Sequence, residues 1–212
     1  MNRRNFMLTG VIALSGLSNG TGAFAQAAGG PRAGRIPRSV LFGNPERAAP
    51  RLSPDGRWLT WIAPLDGVLN VWLAPLGEPA KARAITASTR RPIRSHFWSA
   101  GGTHILYVQD RDGDENWHVF SVPVAGGEAR DLTPIAGVNA QVEGLGRDFP
   151  TIMVVGLNDR DRAWHDLWKI SIETGERERI LENTREYAGF VVDSQLVPRI
   201  ASQARVEGGF RF

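Results

Sequence analysis

Arg51-Leu52-Ser53-Pro54-Asp55-Gly56-Arg57-Trp58-Leu59-Thr60-Trp61-Ile62 joins a turn to a strand. In the turn, Pro54 presets φ and Gly56 is free to take positive φ. Trp58 to Ile62 is aromatic, β-branched and apolar, the composition of a half-buried strand. A second copy runs Phe97-Trp98-Ser99-Ala100-Gly101-Gly102-Thr103-His104-Ile105-Leu106-Tyr107-Val108, with Ser99 placed 46 residues after Ser53. A strand leading into a turn also recurs, at Asn70–Gly77, Trp117–Gly127 and Asp166–Gly175. Val71, Val119 and Leu167 are spaced by 48. Each unit closes alike, at Ala84-Ile85-Thr86, Asp131-Leu132-Thr133 and Arg179-Ile180-Leu181.

Each unit therefore reads strand, turn, strand, loop, strand, turn, strand, and no segment has a helical period. A four-stranded repeat of about 40–50 residues is the signature of a β-propeller blade. One such sheet cannot bury both of its faces, but sheets stacked side by side cover one another. The expected fold is all-β, a partial propeller of about three to four four-stranded blades of TolB- or WD40-like type. The repeats lie near 50–88, 96–135, 143–183 and 187–212 within a domain at 41–212, preceded by a flexible linker at 26–40 rich in Ala, Gly, Pro and Arg. The last repeat ends just after Glu207-Gly208-Gly209-Phe210, on a strand barely begun. Open sheet edges are avoided in native folds, so a fragment of a larger protein is expected. The seven tryptophans, mostly in the strands, are expected to pack between blades.

Residues 1–25 read as an export signal. Arg3 and Arg4 precede an apolar run from Phe6 to Leu17, and Ala23-Phe24-Ala25 is an A-x-A cleavage pattern. The paired arginines followed by Asn5, Phe6 and Met7 resemble a twin-arginine signal, which implies a periplasmic or secreted protein. The run is shorter than the ~20 residues of a spanning helix, so no stable membrane anchor is expected. The formal charge of +3 belongs mainly to this leader: without Arg3 and Arg4, 23 basic residues face 22 acidic ones. There is no polybasic cluster, so nucleic acid is not an expected partner. The chain has no cysteine, which excludes disulfides, thiol nucleophiles and thiolate metal sites.

The Leu-Ser-Pro-Asp-Gly-Arg-Trp-Leu stretch at 52–59 resembles the repeats shared by TolB-type propellers and the propeller of prolyl oligopeptidase-family serine peptidases. Three features point to the peptidases. Asp110-Arg111-Asp112-Gly113-Asp114-Glu115-Asn116-Trp117-His118-Val119-Phe120 is similar to a Gly-Asp-Glu-Asn-Trp stretch found in many of them. Val197-Pro198-Arg199-Ile200-Ala201 is followed by Glu207-Gly208-Gly209-Phe210. The order is export signal, linker, blades. The resemblance covers residues 40–212. It implies a propeller that restricts access of short peptides to an α/β-hydrolase domain carrying a Ser-Asp-His triad, and that C-terminal domain is missing from this sequence.

A nucleophile elbow reads G-x-S-x-G, and the one match, Gly16-Leu17-Ser18-Asn19-Gly20, falls in the leader. No catalytic residue is therefore assigned, and the chain is expected to be inactive alone. The candidate binding residues are Asp114 and Glu115, acids on a propeller loop that could pair with a peptide N-terminus. Asp110, Asp112 and Asp114 have alternate spacing suited to a hard cation, but an EF-hand needs Gly at position 6 and Glu at 12, where Glu115 and Ser121 stand. No metal and no cofactor is expected. Asn158-Asp159-Arg160-Asp161-Arg162, one repeat later, reads as a solvated loop with internal ion pairs. Two functions follow. One is the substrate-gating propeller of an exported serine peptidase that hydrolyses short peptides. The other is a TolB-like, non-catalytic protein-binding module of the cell envelope.

Overall fold

The computed structural model describes residues 35–212. The leader residues Arg3, Arg4, Ala23 and Ala25, the Gly16–Gly20 match and most of the expected linker lie outside the described residues. The chain divides into two units at Leu41/Phe42. At this boundary α1 (Arg38–Phe42) is a single exposed turn started by the Val40 N–H donating to the Pro37 carbonyl.

From Ala48 onward the chain is antiparallel sheet, as the repeat predicts. The first sheet is β1 (Ala48–Leu52), β2 (Trp58–Leu65), β3 (Val68–Pro75) and β4 (Arg83–Ala84), in that spatial order. The second is β5 (His96–Trp98), β6 (His104–Gln109), β7 (His118–Pro123) and β8 (Arg130–Asp131). The third is β9 (Ala140–Leu145), β10 (Ile152–Asp161), β11 (Trp164–Ser171) and β12 (Arg177–Leu181). The fourth has three strands, β13 (Gly189–Val192), β14 (Pro198–Ala204) and β15 (Phe210–Arg211). Every pairing is between consecutive strands, so each sheet is a meander with local hydrogen bonding.

One turn type opens all four sheets. Ser53 and Ser99 each accept an N–H three residues on, from Gly56 and Gly102, at 2.9 Å. Their hydroxyls accept the N–H of Trp58 and His104 at 2.9 and 3.1 Å. Gly146 stands at this position in the third sheet, accepting from Phe149. In the fourth, Asp193 accepts from Leu196 through its carbonyl and from Gln195 and Val197 through its carboxylate. A Cβ on Gly146 would sit 2.5 Å from the Ser194 carbonyl oxygen, and one on Gly101 would sit 2.8 Å from Pro150 Cβ. These positions must be glycine, because the turn of the next sheet presses against each.

Alternation along the strands sends apolar side chains to both faces. Val71, Leu73, Ile93, Trp98, Ile105, Tyr107 and Val122 join the first and second sheets. Leu106, Val119, Met153, Val155, Leu157 and Ile170 join the second and third. Val154, Leu167 and Leu196, with Phe190 and Val192, join the third and fourth. A fully buried leucine or isoleucine contributes about 1.5–3 kcal/mol, so these three seams are the main source of stability. Tryptophan departs from the expectation in part. Trp58, Trp98 and Trp168 pack in the seams, but Trp61 and Trp72 lie on the first sheet's other face with Ala63 and Ala74, and Trp117 precedes β7 in a loop.

Polar residues close each sheet at matched positions. Asn70, His118 and Asp166, spaced by 48, each bind the segment after the fourth strand or that strand itself. Asn70 Oδ1 accepts from Thr86 Oγ1 and the Ser88 N–H. His118 Nδ1 meets Asp131 Oδ2 at 2.7 Å, and Asp166 Oδ1 accepts from the Asn183 N–H.

Candidate functional site

At one end of the second sheet lies a cleft of about 680 Å³. Three segments build it: Ala87–Arg91 between the first two sheets, the end of β6 at Gln109 with the loop that follows as far as Asp114, and Asp131 of β8 with Pro134–Gly137 after it. Phe120 forms an apolar wall, stacked at 5.1 Å on Tyr107. Pro134 and Ile135 also line it.

The acids of the cleft differ in one respect. Asp110 is buried and takes both nitrogens of the Arg91 fork, with Nη2 at 2.6 and 2.8 Å and Nε at 2.9 Å. Asp112 pairs with Arg90 at 3.1 Å, and Asp131 with His118. Asp114 pairs with no cation among the described residues. Its Oδ1 accepts the N–H of Arg111 and of Asn116, and its Oδ2 accepts from Asn116 Nδ2 at 3.1 Å. The Asn116 side-chain bond, which outweighs the upward pull of burial, holds the carboxyl below the ordinary aspartate range, with the Asn116 and Arg111 N–H groups and the nearby His118 as smaller lowering causes. Asp114 is thus an exposed carboxylate held mainly by neutral donors.

The two candidate binding residues separate. Asp114 lines the cleft, and Glu115 does not. The Glu115 backbone instead ties the loop down: its N–H donates to Asp110 and its carbonyl accepts from Asn139 Nδ2 at 3.0 Å. The alternating acids 110, 112 and 114 do not converge, since two of them face different arginines. Among the described residues no group of three or more His, Asp or Glu is placed to hold a metal ion. Among the described residues the cleft assembles no Ser-His-Asp arrangement either. Ser88, the serine of the cleft, donates to the Arg91 carbonyl. His118 carries the same sheet-closing role as Asn70 and Asp166.

The stretch 158–162 is not the solvated loop read from sequence. It extends β10 to Asp161, with Asn158 buried and Arg160 forked on fully buried Asp166 at 2.8 Å. Burial pulls the Asp166 carboxyl up, but the Arg160 bonds, the Asn183 N–H and the charges of Arg160 and Arg179 hold it below the ordinary range. Arg91, Arg90, Asp131 and Phe120 were not singled out in the sequence. The 48-residue spacing that links His118 to Asn70 and Asp166 is the signal that could have found the His118–Asp131 edge of the cleft.

No helix among the described residues is long and apolar enough to cross a membrane. No family model matches the chain. Over 174 residues it is 45% identical to dipeptidyl aminopeptidase BIII of Pseudoxanthomonas mexicana, covering 82% of this chain and 25% of that protein. It is 29% identical over 180 residues to dipeptidyl peptidase family member 6 of Caenorhabditis elegans, covering 82% of this chain and 24% of that protein. The chain spans about a quarter of the length of these curated relatives. Among solved structures, a puromycin hydrolase aligns with a TM-score of 0.51 at 20% identity, over 75% of this chain and 25% of that one. A prolyl endopeptidase aligns with a TM-score of 0.52 at 14% identity, over 69% and 23%. The solved structures show the fold, a partial β-propeller, and the 45% identity shows that the chain is similar to about a quarter of a dipeptidyl aminopeptidase.

Proposed function

We propose that this chain is the substrate-gating propeller portion of an exported serine peptidase acting on short peptides, and that Asp114 receives the peptide's N-terminal ammonium. The observation that carries the reading is the Asp114 carboxylate. It is the one acid lining the cleft that is paired with neither an arginine nor a histidine among the described residues. An ammonium group would complete it, and the Phe120 wall with Pro134 and Ile135 would take the adjoining side chain. Bond cleavage would be the work of an α/β-hydrolase domain outside these residues. The curated relatives, named as a dipeptidyl aminopeptidase and a dipeptidyl peptidase family member and more than three times as long, support this division of labour. Export to the periplasm or beyond, by the twin-arginine route, rests on Arg3, Arg4 and the Ala23-Phe24-Ala25 pattern.

The test is an amide NMR titration of the chain with Ala-Phe amide and with its N-acetylated form. An exposed ion pair contributes only about 0–1 kcal/mol, so a dissociation constant on the order of 1 mM, about 4 kcal/mol, is expected only with most of the affinity coming from the Phe120, Pro134 and Ile135 wall. The Asp112–Asn116 resonances should shift with the free amine, and reach the same shift with the blocked one only at about fivefold higher concentration. Asp114→Asn should weaken binding about fivefold, or about 1 kcal/mol. Equal response to the blocked dipeptide would overturn the amine reading and leave a protein-binding propeller. A fluorophosphonate label on the longer gene product tests the peptidase assignment.

A further inference from the structure

The loop that presents Asp114 has an unfavourable backbone. Asp112 and Glu115 have φ of 55° and 59°, on either side of Gly113 at 89° and Asp114. Non-glycine residues persist in this region only where the surroundings over-determine them. Asn139 holds the Glu115 carbonyl and Asp114 accepts two of the loop's own N–H groups, and the buried tie comes from Arg91. The Arg91 guanidinium forks onto Asp110, the first residue of the loop, whose side chain is 2% exposed. The other Asp110 oxygen also accepts the Glu115 N–H at the far end, so one buried carboxylate ties both ends of the loop to Arg91. A Cβ on Gly113 would lie 3.6 Å from Arg91 Nη1, so the loop crosses directly over the guanidinium. Arg91 is itself fixed by Gln109 Nε2, which donates to its carbonyl at 2.7 Å. Arg90 adds a weaker, exposed tie to Asp112.

We propose that Arg91 is the positioning residue of the cleft: through Asp110 it holds the strained 110–116 loop in the conformation that sets the Asp114 carboxylate at the cleft mouth. Arg91 acts by keeping the N–H groups of Arg111 and Asn116 converged on Asp114. The role of Asp114 as an ammonium partner rests on the function proposed above, but the positioning itself does not.

The experiment reads the two separately. The Asp114 side-chain carboxyl is titrated by carbon-detected NMR in the wild-type chain and in Arg91→Ala, Arg91→Lys and Asp110→Asn. The wild-type carboxyl titrates below the ordinary aspartate range. In all three variants it is expected to move back up into that range, because the converged donors disperse. Lysine keeps the charge but lacks the planar fork, so it should not rescue. Arg90→Ala, which removes the exposed tie, should leave the Asp114 titration unchanged. Thermal melts and amide spectra of the seam residues report folding, and Asp110→Asn, close to isosteric, covers the case in which Arg91→Ala fails to fold. A folded Arg91→Ala or Asp110→Asn chain with an unmoved Asp114 titration overturns the proposal. Ala-Phe amide is then titrated into the same set. Binding weakened at least fivefold in Arg91→Lys supports both readings. A carboxyl that moves in the variants, with no dipeptide binding to wild type, upholds the positioning and overturns the amine site.

Discussion

Acidifying the full chain from pH 7 to pH 4 should cost about 3 kcal/mol of stability through His96 alone. His96 is fully buried in the seam between the first and second sheets. Thr60 Oγ1 donates to the Arg51 carbonyl, so it accepts from His96 Nε2–H at 2.9 Å. The other ring nitrogen, Nδ1, has no partner among the described residues. Protonation would place a charge and an unsatisfied donor in the seam. Burial first, and the Arg51 charge second, bring the imidazole from an ordinary 6.5 to about 4. The folded state therefore binds this proton less readily than the unfolded state. Its contribution is complete above pH 6.5 and is lost as pH falls toward 4. At about 1.4 kcal/mol per tenfold change in proton affinity, the loss reaches about 2 kcal/mol by pH 5 and about 3 kcal/mol by pH 4. Asp55, Asp166 and Asp193 are held below 3.8 and lose their contributions mainly below this window. His104 and His165 are lowered by burial and add to the loss, while burial raises Glu143 and works against it. Urea unfolding at pH 7, 6, 5 and 4, compared between wild type and His96→Gln, isolates the His96 share. The variant should start less stable and show a flatter profile. Parallel profiles in the two chains would refute the assignment of the acid sensitivity to His96.

Gly146→Ala should destabilise the third seam by more than 2 kcal/mol, because the new Cβ meets the Ser194 carbonyl at 2.5 Å, and limited proteolysis should then cut first within 189–211. Gly77→Ala, with positive φ but open space around it, should cost only about 1 kcal/mol in the same melts. Ser53→Ala removes the acceptor of the Trp58 N–H and the donor to Asp55, and a loss of about 1–2 kcal/mol is expected by urea unfolding. Leu106→Ala and Leu157→Ala, both fully buried in the second seam, should each cost about 2–5 kcal/mol.

The repeat was legible because strands and turns are local. The Ser53 and Ser99 turns, the Trp58–Ile62 strand and the 48-residue spacing of Val71, Val119 and Leu167 each follow from side chains within a few residues of one another. Two parts of the fold were less legible. The third turn keeps its backbone bonds but replaces Ser with Gly146, and its reason lies 48 residues away at Ser194. The 158–162 stretch reads as polar, yet Arg160 enters the strand because Asp166 is buried beside it. Charge along a chain does not reveal which carboxylate a neighbouring strand has removed from water.

Of the candidate site, Asp114 and Glu115 could be named from sequence, but they could not be told apart. Both are acids in one Gly-containing loop. Their separation depends on a backbone at positive φ and on Asn139, 24 residues on, which captures the Glu115 carbonyl. The sequence by itself determined the all-β repeat, its period and the family resemblance, since these depend on residue order and local turn chemistry. Only the tertiary structure decided which acids are free. Arg91 and Asp110, Arg90 and Asp112, and His118 and Asp131 are paired by the way the sheets stack, and charge neutralisation requires a few ångströms of proximity in space, whatever the separation along the chain.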